Sequence, residues 1–207
     1  MSIKLYDYEL SQSCYRVRLL LSFLGLSYET IIVDVTKGEQ KTPEYLRLNP
    51  LGKIPYFEDG AAHLRDSHTI IVYLARQYGS DRWLPSDPAE AGEVMQWIVF
   101  NATEMSISIE GLRRHKLGLY PTLNPQVATE KAADVLQFLN DHLENHDWLA
   151  LSRPTLAELA LFPGLALSSE VNISLTPYPH VERWLNRVKQ LPGFIGMTGI
   201  STELVAA

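Results

Sequence analysis

Around the segment Gly79 to Pro88 (GSDRWLPSDP) the sequence changes its pattern, and that change limits the fold more than any other feature. Before it, short β-branched and aromatic runs alternate with stretches of helical periodicity. After it, every patterned stretch has helical spacing. The segment itself is dense in turn residues, as a linker would be. The expectation is therefore an α/β domain over residues 1–78, a linker over 79–88 and an all-α domain over 89–207.

In the first region, Ile3-Lys4-Leu5-Tyr6 reads as a strand. Val17, Leu20, Leu21 and Leu24 follow at helical spacing, with Gly25 as a stop. Tyr28 to Val35 reads as a second strand, Thr36 to Thr42 as a loop and Pro43 to Leu48 as a short helix. Ile54 to Phe57 and Ala61 to Leu64 flank a turn at Glu58-Asp59-Gly60, which predicts a hairpin. Ser67 opens a helix with Ile70, Ile71 and Leu74 on one face. The order is βαβαββα, which calls for a small mixed sheet covered by helices. In the second region Ala89 to Gly118 reads as one long helix and Pro125 to His146 as another. Thr155 to Leu167 is apolar all round, as a buried helix would be. Val181, Trp184, Leu185 and Val188 mark a further amphipathic helix, which completes a helical bundle.

Charge narrows the partners. The 207 residues carry 18 Lys plus Arg against 24 Asp plus Glu, a formal net charge of −6. An acidic surface repels phosphate backbones, so no nucleic-acid partner is expected. The basic run Arg113-Arg114-His115-Lys116 reads as a solvated helix face. No apolar run reaches the roughly 18 residues of a membrane span, so no membrane partner is expected either. The single cysteine, Cys14, excludes an intramolecular disulfide and a multi-cysteine zinc site, and it fits a reducing, cytoplasmic setting. His142 and His146 sit at helical i, i+4 spacing with only Glu144 or Asp147 nearby as a third ligand, and they read as a solvent-facing pair, so no metal is expected.

Three positions fall where strands meet helices. The loop Tyr8 to Tyr15 (YELSQSCY) offers Ser11 and Ser13 as helix N-caps. The same geometry serves chemistry, because a helix start favours an anion and a hydroxyl there can donate to a bound thiolate. Ile54-Pro55 lies inside a strand-like run, where proline removes a ladder donor. A cis bond at a sheet edge would resolve the conflict and leave backbone groups free for an extended peptide, with a trans edge-strand proline as the alternative. Asp66-Ser67 precedes the third helix, with Ser67 as its N-cap. Ser67 could bind a carboxylate there and Asp66 an ammonium, the two charges of an amino-acid head group.

Together these positions resemble the cytosolic glutathione transferases, in a bacterial-type, serine-class-like form. The resemblance rests on Ser11, on Asn49-Pro50-Leu51-Gly52-Lys53-Ile54-Pro55, on Asp66-Ser67, and on Arg153-Pro154-Thr155-Leu156-Ala157-Glu158 with Pro163. It implies a thioredoxin-like first domain, a helical second domain, glutathione as co-substrate, a homodimer and a detoxifying role. By resemblance Ser11 is the thiolate donor, with Ser13 and Cys14 as further candidates in the same loop, although Cys14 reads first as a small buried residue at the helix start. Ile54 would pair its backbone with the cysteinyl part of glutathione, held by Pro55. Asp66 and Ser67 would hold the γ-glutamyl end, and Lys53 and Lys41 the glycyl carboxylate. The electrophile would lie near Leu10, Tyr15, Met105 and Arg113.

Two residues depart from the family pattern: Asp66 stands where glutamate is usual, and Glu158 where the capping box usually has Asp. The leading activity is conjugation of glutathione to small apolar electrophiles. The same site could instead reduce disulfides or peroxides, or the chain could be a non-catalytic binding protein with this fold. A free thiol has a pKa near 8.5, so lowering it by about two units needs roughly 2.7 kcal/mol of preferential thiolate stabilisation. A hydroxyl donor plus a helix start supplies that order of magnitude.

Overall fold

The computed structural model describes residues 3–203. Four strands form one mixed sheet: β1 (Ile3–Asp7), β2 (Tyr28–Ile32), β3 (Tyr56–Asp59) and β4 (Ala62–Arg65), in the spatial order β2-β1-β3-β4. β1 runs parallel to β2, with Leu5 opposite Thr30, and antiparallel to β3, with Leu5 opposite Phe57. The parallel pair requires a crossover, which α1 (Gln12–Phe23) supplies. Leu5 and Phe57 are fully buried in one core with residues of α1 and of α3 (Ser67–Tyr78). The alternate side chains, Tyr6 and Tyr56, meet Val33 and Tyr45 in a second, smaller core beside α2 (Pro43–Leu48).

The second region contains α4 (Pro88–Thr103), α5 (Ile109–Lys116), α6 (Pro125–Glu144), α7 (Leu156–Ala166) and α8 (Pro179–Lys189). α7 lies at the centre, buried from Leu156 to Leu165, and reaches α1 and α3 as well as α4 and α8. Its apolar circumference is what the sequence demanded of it. No described helix is long and apolar enough to cross a membrane. The fold is thus α/β plus all-α, a thioredoxin-like domain followed by a helical one.

Several expectations need correction. The second strand stops at Ile32 rather than Val35. The Asp34 carboxylate accepts from the N–H groups of Thr36 and Lys37, at 3.0 and 3.4 Å, and turns the chain into a short 3-10 segment. The single helix expected over residues 89–118 breaks between Thr103 and Ile109. There Thr103, Ser106 and Ser108 each donate a hydroxyl to a carbonyl four residues back, at 3.0, 2.7 and 2.6 Å. Hydroxyls in this role compete with the helix ladder. Asp66, not Ser67, is the N-cap of α3. The Ile54-Pro55 bond is cis, but it precedes an inner strand, β3, rather than lying at an edge.

Candidate active site

The loop after β1, the turn before β3 and the start of α3 converge at one end of the sheet. They bound two adjoining compartments of a cleft, about 300 and 350 Å³ in volume. Ser11, Lys41 and Arg113 line the first and Pro55, Asp66 and Ser67 the second, while Ser13, Lys53 and Ile54 line both. Larger clefts of about 800 and 770 Å³ lie wholly within the helical region, away from these residues.

Ser11 is the N-cap of α1. Its Oγ accepts from the Cys14 N–H at 3.2 Å, so the hydroxyl proton remains available to a ligand. Ser13 sits one residue inside the helix. Ile54 precedes the first ladder residue, Tyr56, so its backbone groups lie outside the sheet pairing. The carbonyl just before it, that of Lys53, is held by Tyr45 Oη at 2.8 Å and Asn49 Nδ2 at 2.6 Å. These bonds fix the turn that presents Ile54. Lys41 Nζ donates to the Leu51 carbonyl at 3.3 Å.

Asp66 adopts φ 77°, a left-handed conformation rare for a residue with a side chain. Its Oδ1 accepts from the N–H groups of His68 and Thr69, at 2.9 and 3.3 Å. The His68 side chain, followed by those backbone N–H groups, holds the carboxyl down at about 2, so it is ionised at neutral pH.

Beneath Ser67 lies a buried network that sequence reasoning missed. Arg16, on α1, is 1% exposed. Its Nη1 donates to Ser67 Oγ at 2.8 Å, and its Nη2 donates to Glu110 Oε1 at 3.0 Å and Asn101 Oδ1 at 3.1 Å. Its Nε donates to the Leu159 carbonyl at 3.2 Å. That carbonyl is free because Pro163, four residues on in α7, has no N–H to give it. Gly164 allows the approach, since a Cβ there would fall 2.8 Å from Glu110 Cγ. The signal available in the sequence was Arg16 directly before the apolar run of helix one, a position that turns out fully buried.

Other expectations fail on geometry. Tyr15 and Met105 are fully buried in the main core, and Tyr15 Oη donates to the Ile195 carbonyl at 2.6 Å. Neither offers a surface to a ligand. Leu10 does not line the cleft, and its carbonyl accepts from Arg113 Nη1 at 2.9 Å. The basic run is not uniformly a solvated face: Lys116 is exposed, but Arg113 is 5% exposed and pairs with Glu170 at 2.8 Å. Cys14 is fully buried, and desolvation pushes its thiol up to about 12, so it stays protonated and unreactive at neutral pH. His142 and His146 stack with ring centroids 4.3 Å apart, and no group of three metal-ligating side chains occurs among the described residues.

A thioredoxin-like sheet whose helix starts open on a cleft, walled on the far side by a helical domain, defines a two-domain class of protein. The model of the glutathione S-transferase N-terminal domain matches residues 5–83, and that of the C-terminal domain matches residues 115–192. The chain is 30% identical over 204 residues to glutathione S-transferase Z2 of Arabidopsis thaliana, covering 93% of this chain and 88% of that protein. It is 27% identical over 198 residues to glutathione S-transferase D7 of Drosophila melanogaster, covering 93% and 87%.

Among solved structures, a possible glutathione S-transferase from Rhodopseudomonas palustris superposes with a TM-score of 0.86 at 30% identity, covering 95% of this chain and 98% of that one. A glutathione transferase homolog from Drosophila mojavensis with bound glutathione superposes with a TM-score of 0.84 at 29% identity, covering 92% and 89%. The chain belongs to the glutathione S-transferase family.

Proposed function

We propose that this protein binds glutathione along the thioredoxin-like side of the cleft and presents its thiolate to a small electrophile on the helical side. In this reading residues 1–78 form the glutathione-binding unit and residues 89–207 the helical one. Ser11 is the thiolate donor, which makes this a serine-type member of the family. The observation that carries the reading is the Ser11 hydroxyl, whose oxygen is occupied by the Cys14 N–H while its proton is left for a ligand at a helix start. Ile54 pairs with the cysteinyl backbone. Asp66 and Ser67 take the γ-glutamyl charges, and Lys41 and Lys53 the glycyl carboxylate. Ser67 is suited to donate because its oxygen already accepts from Arg16.

Conjugation is favoured over thiol–disulfide exchange through this chain, since Cys14 is buried and protonated. A homodimer belongs to the same reading. Val99 and Phe138, 54% and 51% exposed on α4 and α6, give an apolar surface for it, and a monomeric mass in solution would count against it. The proposed setting is detoxification in the cytoplasm.

The test is a titration of the bound glutathione thiol, followed by thiolate absorbance in the ultraviolet. Binding should lower the thiol pKa by about two units. Ser11→Ala should return it toward the free value, and Ser13→Ala should leave it lowered. The reverse pattern would assign the role to Ser13. Calorimetry showing no glutathione binding at millimolar concentration would leave a non-catalytic protein of the same fold.

A further inference from the structure

The cleft holds more positive charge than glutathione requires. Lys41, Lys53, Arg65, Arg113 and Arg114 line its two compartments, and Asp66 is the single carboxylate among their lining residues. This occurs in a chain of formal net charge −6. Glutathione carries two carboxylates and one ammonium, and groups on the thioredoxin-like side answer all three. The arginines of the helical wall remain. Arg113 is already neutralised by Glu170.

Arg114 is not neutralised. Its Nη2 donates to the Ser106 carbonyl and its guanidinium lies 5.0 Å from the Tyr120 ring centroid. No carboxylate lies within ion-pair distance of it among the described residues. Its Nε is buried with no hydrogen-bond partner. Arg114 lines both compartments, the first together with Ser11 and both together with Ser13.

Two amides add to this. Gln12 and Gln40 line the same compartment as Ser11, and the Oε1 of each is buried without a partner, Gln12 being only 5% exposed. Each such group costs about 1–3 kcal/mol if nothing completes it. An amide turned about its last bond presents two donors in place of its oxygen. Three residues lining this compartment, one of them a cation, thus each carry a buried polar atom without a partner.

We propose that the electrophile carries a carboxylate, which Arg114 binds and the Gln12 and Gln40 amides help to seat. The inference rests on the glutathione reading above and replaces the apolar electrophile expected from the sequence. A guanidinium matches a carboxylate in charge and in fork geometry. Holding that end fixes the electrophilic carbon relative to the thiolate.

A matched pair of aryl chlorides tests this: 4-chloro-3,5-dinitrobenzoate and its methyl ester. With either, the thiolate sulfur forms a bond to the chlorine-bearing carbon, the carbon–chlorine bond breaks with its electron pair to chloride, and the thiol proton passes to solvent. Wild-type protein should favour the acid over the ester in kcat/KM by about tenfold, the difference lying in KM. Arg114→Gln should abolish the preference, and Arg114→Lys should restore part of it. In the wild type, added salt should raise KM for the acid and not for the ester, which tests the idea without relying on a variant. Equal turnover of acid and ester, or a preference that survives Arg114→Gln, would overturn the anionic substrate while leaving the glutathione reading intact. Calorimetry run alongside distinguishes the other failure: no glutathione binding and no turnover of either compound would remove both.

Discussion

Two kinds of helix start occur in this molecule. At α7 the start is closed. Thr155 is fully buried, its Oγ1 accepts from the Ala157 N–H at 3.2 Å, and Glu158 reaches back to the Thr155 and Leu149 N–H groups, both at 2.7 Å. Every group there answers another group of the chain, as in a capping box whose purpose is to fold the helix. At α1 and α3 the starts are open. Ser11 takes one N–H and keeps its proton, and Asp66 caps two N–H groups with one oxygen while its other oxygen accepts no hydrogen bond among the described residues. Capping residue types alone do not separate the two. What separates them is the hydrogen-bonding capacity left over at the cleft.

The open start of α3 depends on the helical domain through Arg16, so the largest effect is expected there. Arg16→Met leaves Glu110, 8% exposed in its side chain, as an uncompensated buried carboxylate. Breaking such a pair costs about 3–5 kcal/mol. Urea unfolding should show a loss of that order, and the double variant Arg16→Met/Glu110→Leu should recover most of it. A loss below about 1 kcal/mol would mean that the open start stands without its support from below.

Glu158→Ala should come next. It leaves two buried N–H groups unsatisfied, each costing about 1–3 kcal/mol, so a destabilisation of roughly 2–6 kcal/mol is expected. Glutathione affinity of the folded protein should not change, because the box lies on the structural side of the comparison. A weakened affinity at unchanged fold, measured by calorimetry, would break the distinction.

How much of this was legible in the sequence follows the same line. Local chemistry announces itself locally. The caps at Ser11 and Thr155, the strand and helix order, and the buried character of α7 could be read from neighbouring residues, whereas the cap of α3 was read one residue late, at Ser67 instead of Asp66. The Arg16 network could not, because it joins residues 51 to 144 positions apart. The break after Thr103 was hidden by strong helical periodicity, since three hydroxyls spaced among apolar residues compete with the ladder without disturbing the pattern. Tyr15 and Met105 were misplaced for the opposite reason. Spacing gives a face of a helix, but whether that face meets a cleft or a core is decided by a distant partner. Arg114 was passed over within a basic run that reads as solvated until α5 is packed against the loop after β1.

Cys14 tests the boundary between open and closed on a single turn of helix. It lies three residues from Ser11 yet is fully buried, with its thiol pushed up to about 12. Cys14→Ala should cost about 1 kcal/mol, in line with an ordinary small core change, and should keep conjugation activity. The native thiol should resist an aromatic disulfide reagent and react only on unfolding. Rapid native labelling, or loss of activity in Cys14→Ala, would place the cysteine on the open side.

The smallest effect on stability, and the finest probe of an open cap, is expected for Asp66→Asn. Its carboxyl is held at about 2, below the ordinary 3.8, chiefly by His68 and then by the N–H groups it caps. A depressed carboxyl stabilises the fold above its unfolded pKa and loses that contribution as pH falls toward the folded value. The wild-type melting temperature should therefore decline between pH 3.8 and about 2 partly on account of Asp66. Asparagine keeps the oxygen that caps α3, so near neutrality the variant should melt close to wild type, and its acid decline should be shallower. Its glutathione affinity should nevertheless fall by about tenfold, because a neutral amide no longer attracts an ammonium. If stability and affinity instead fell together at neutral pH, the carboxylate would be serving the helix rather than the ligand, and Asp66 would belong with Glu158.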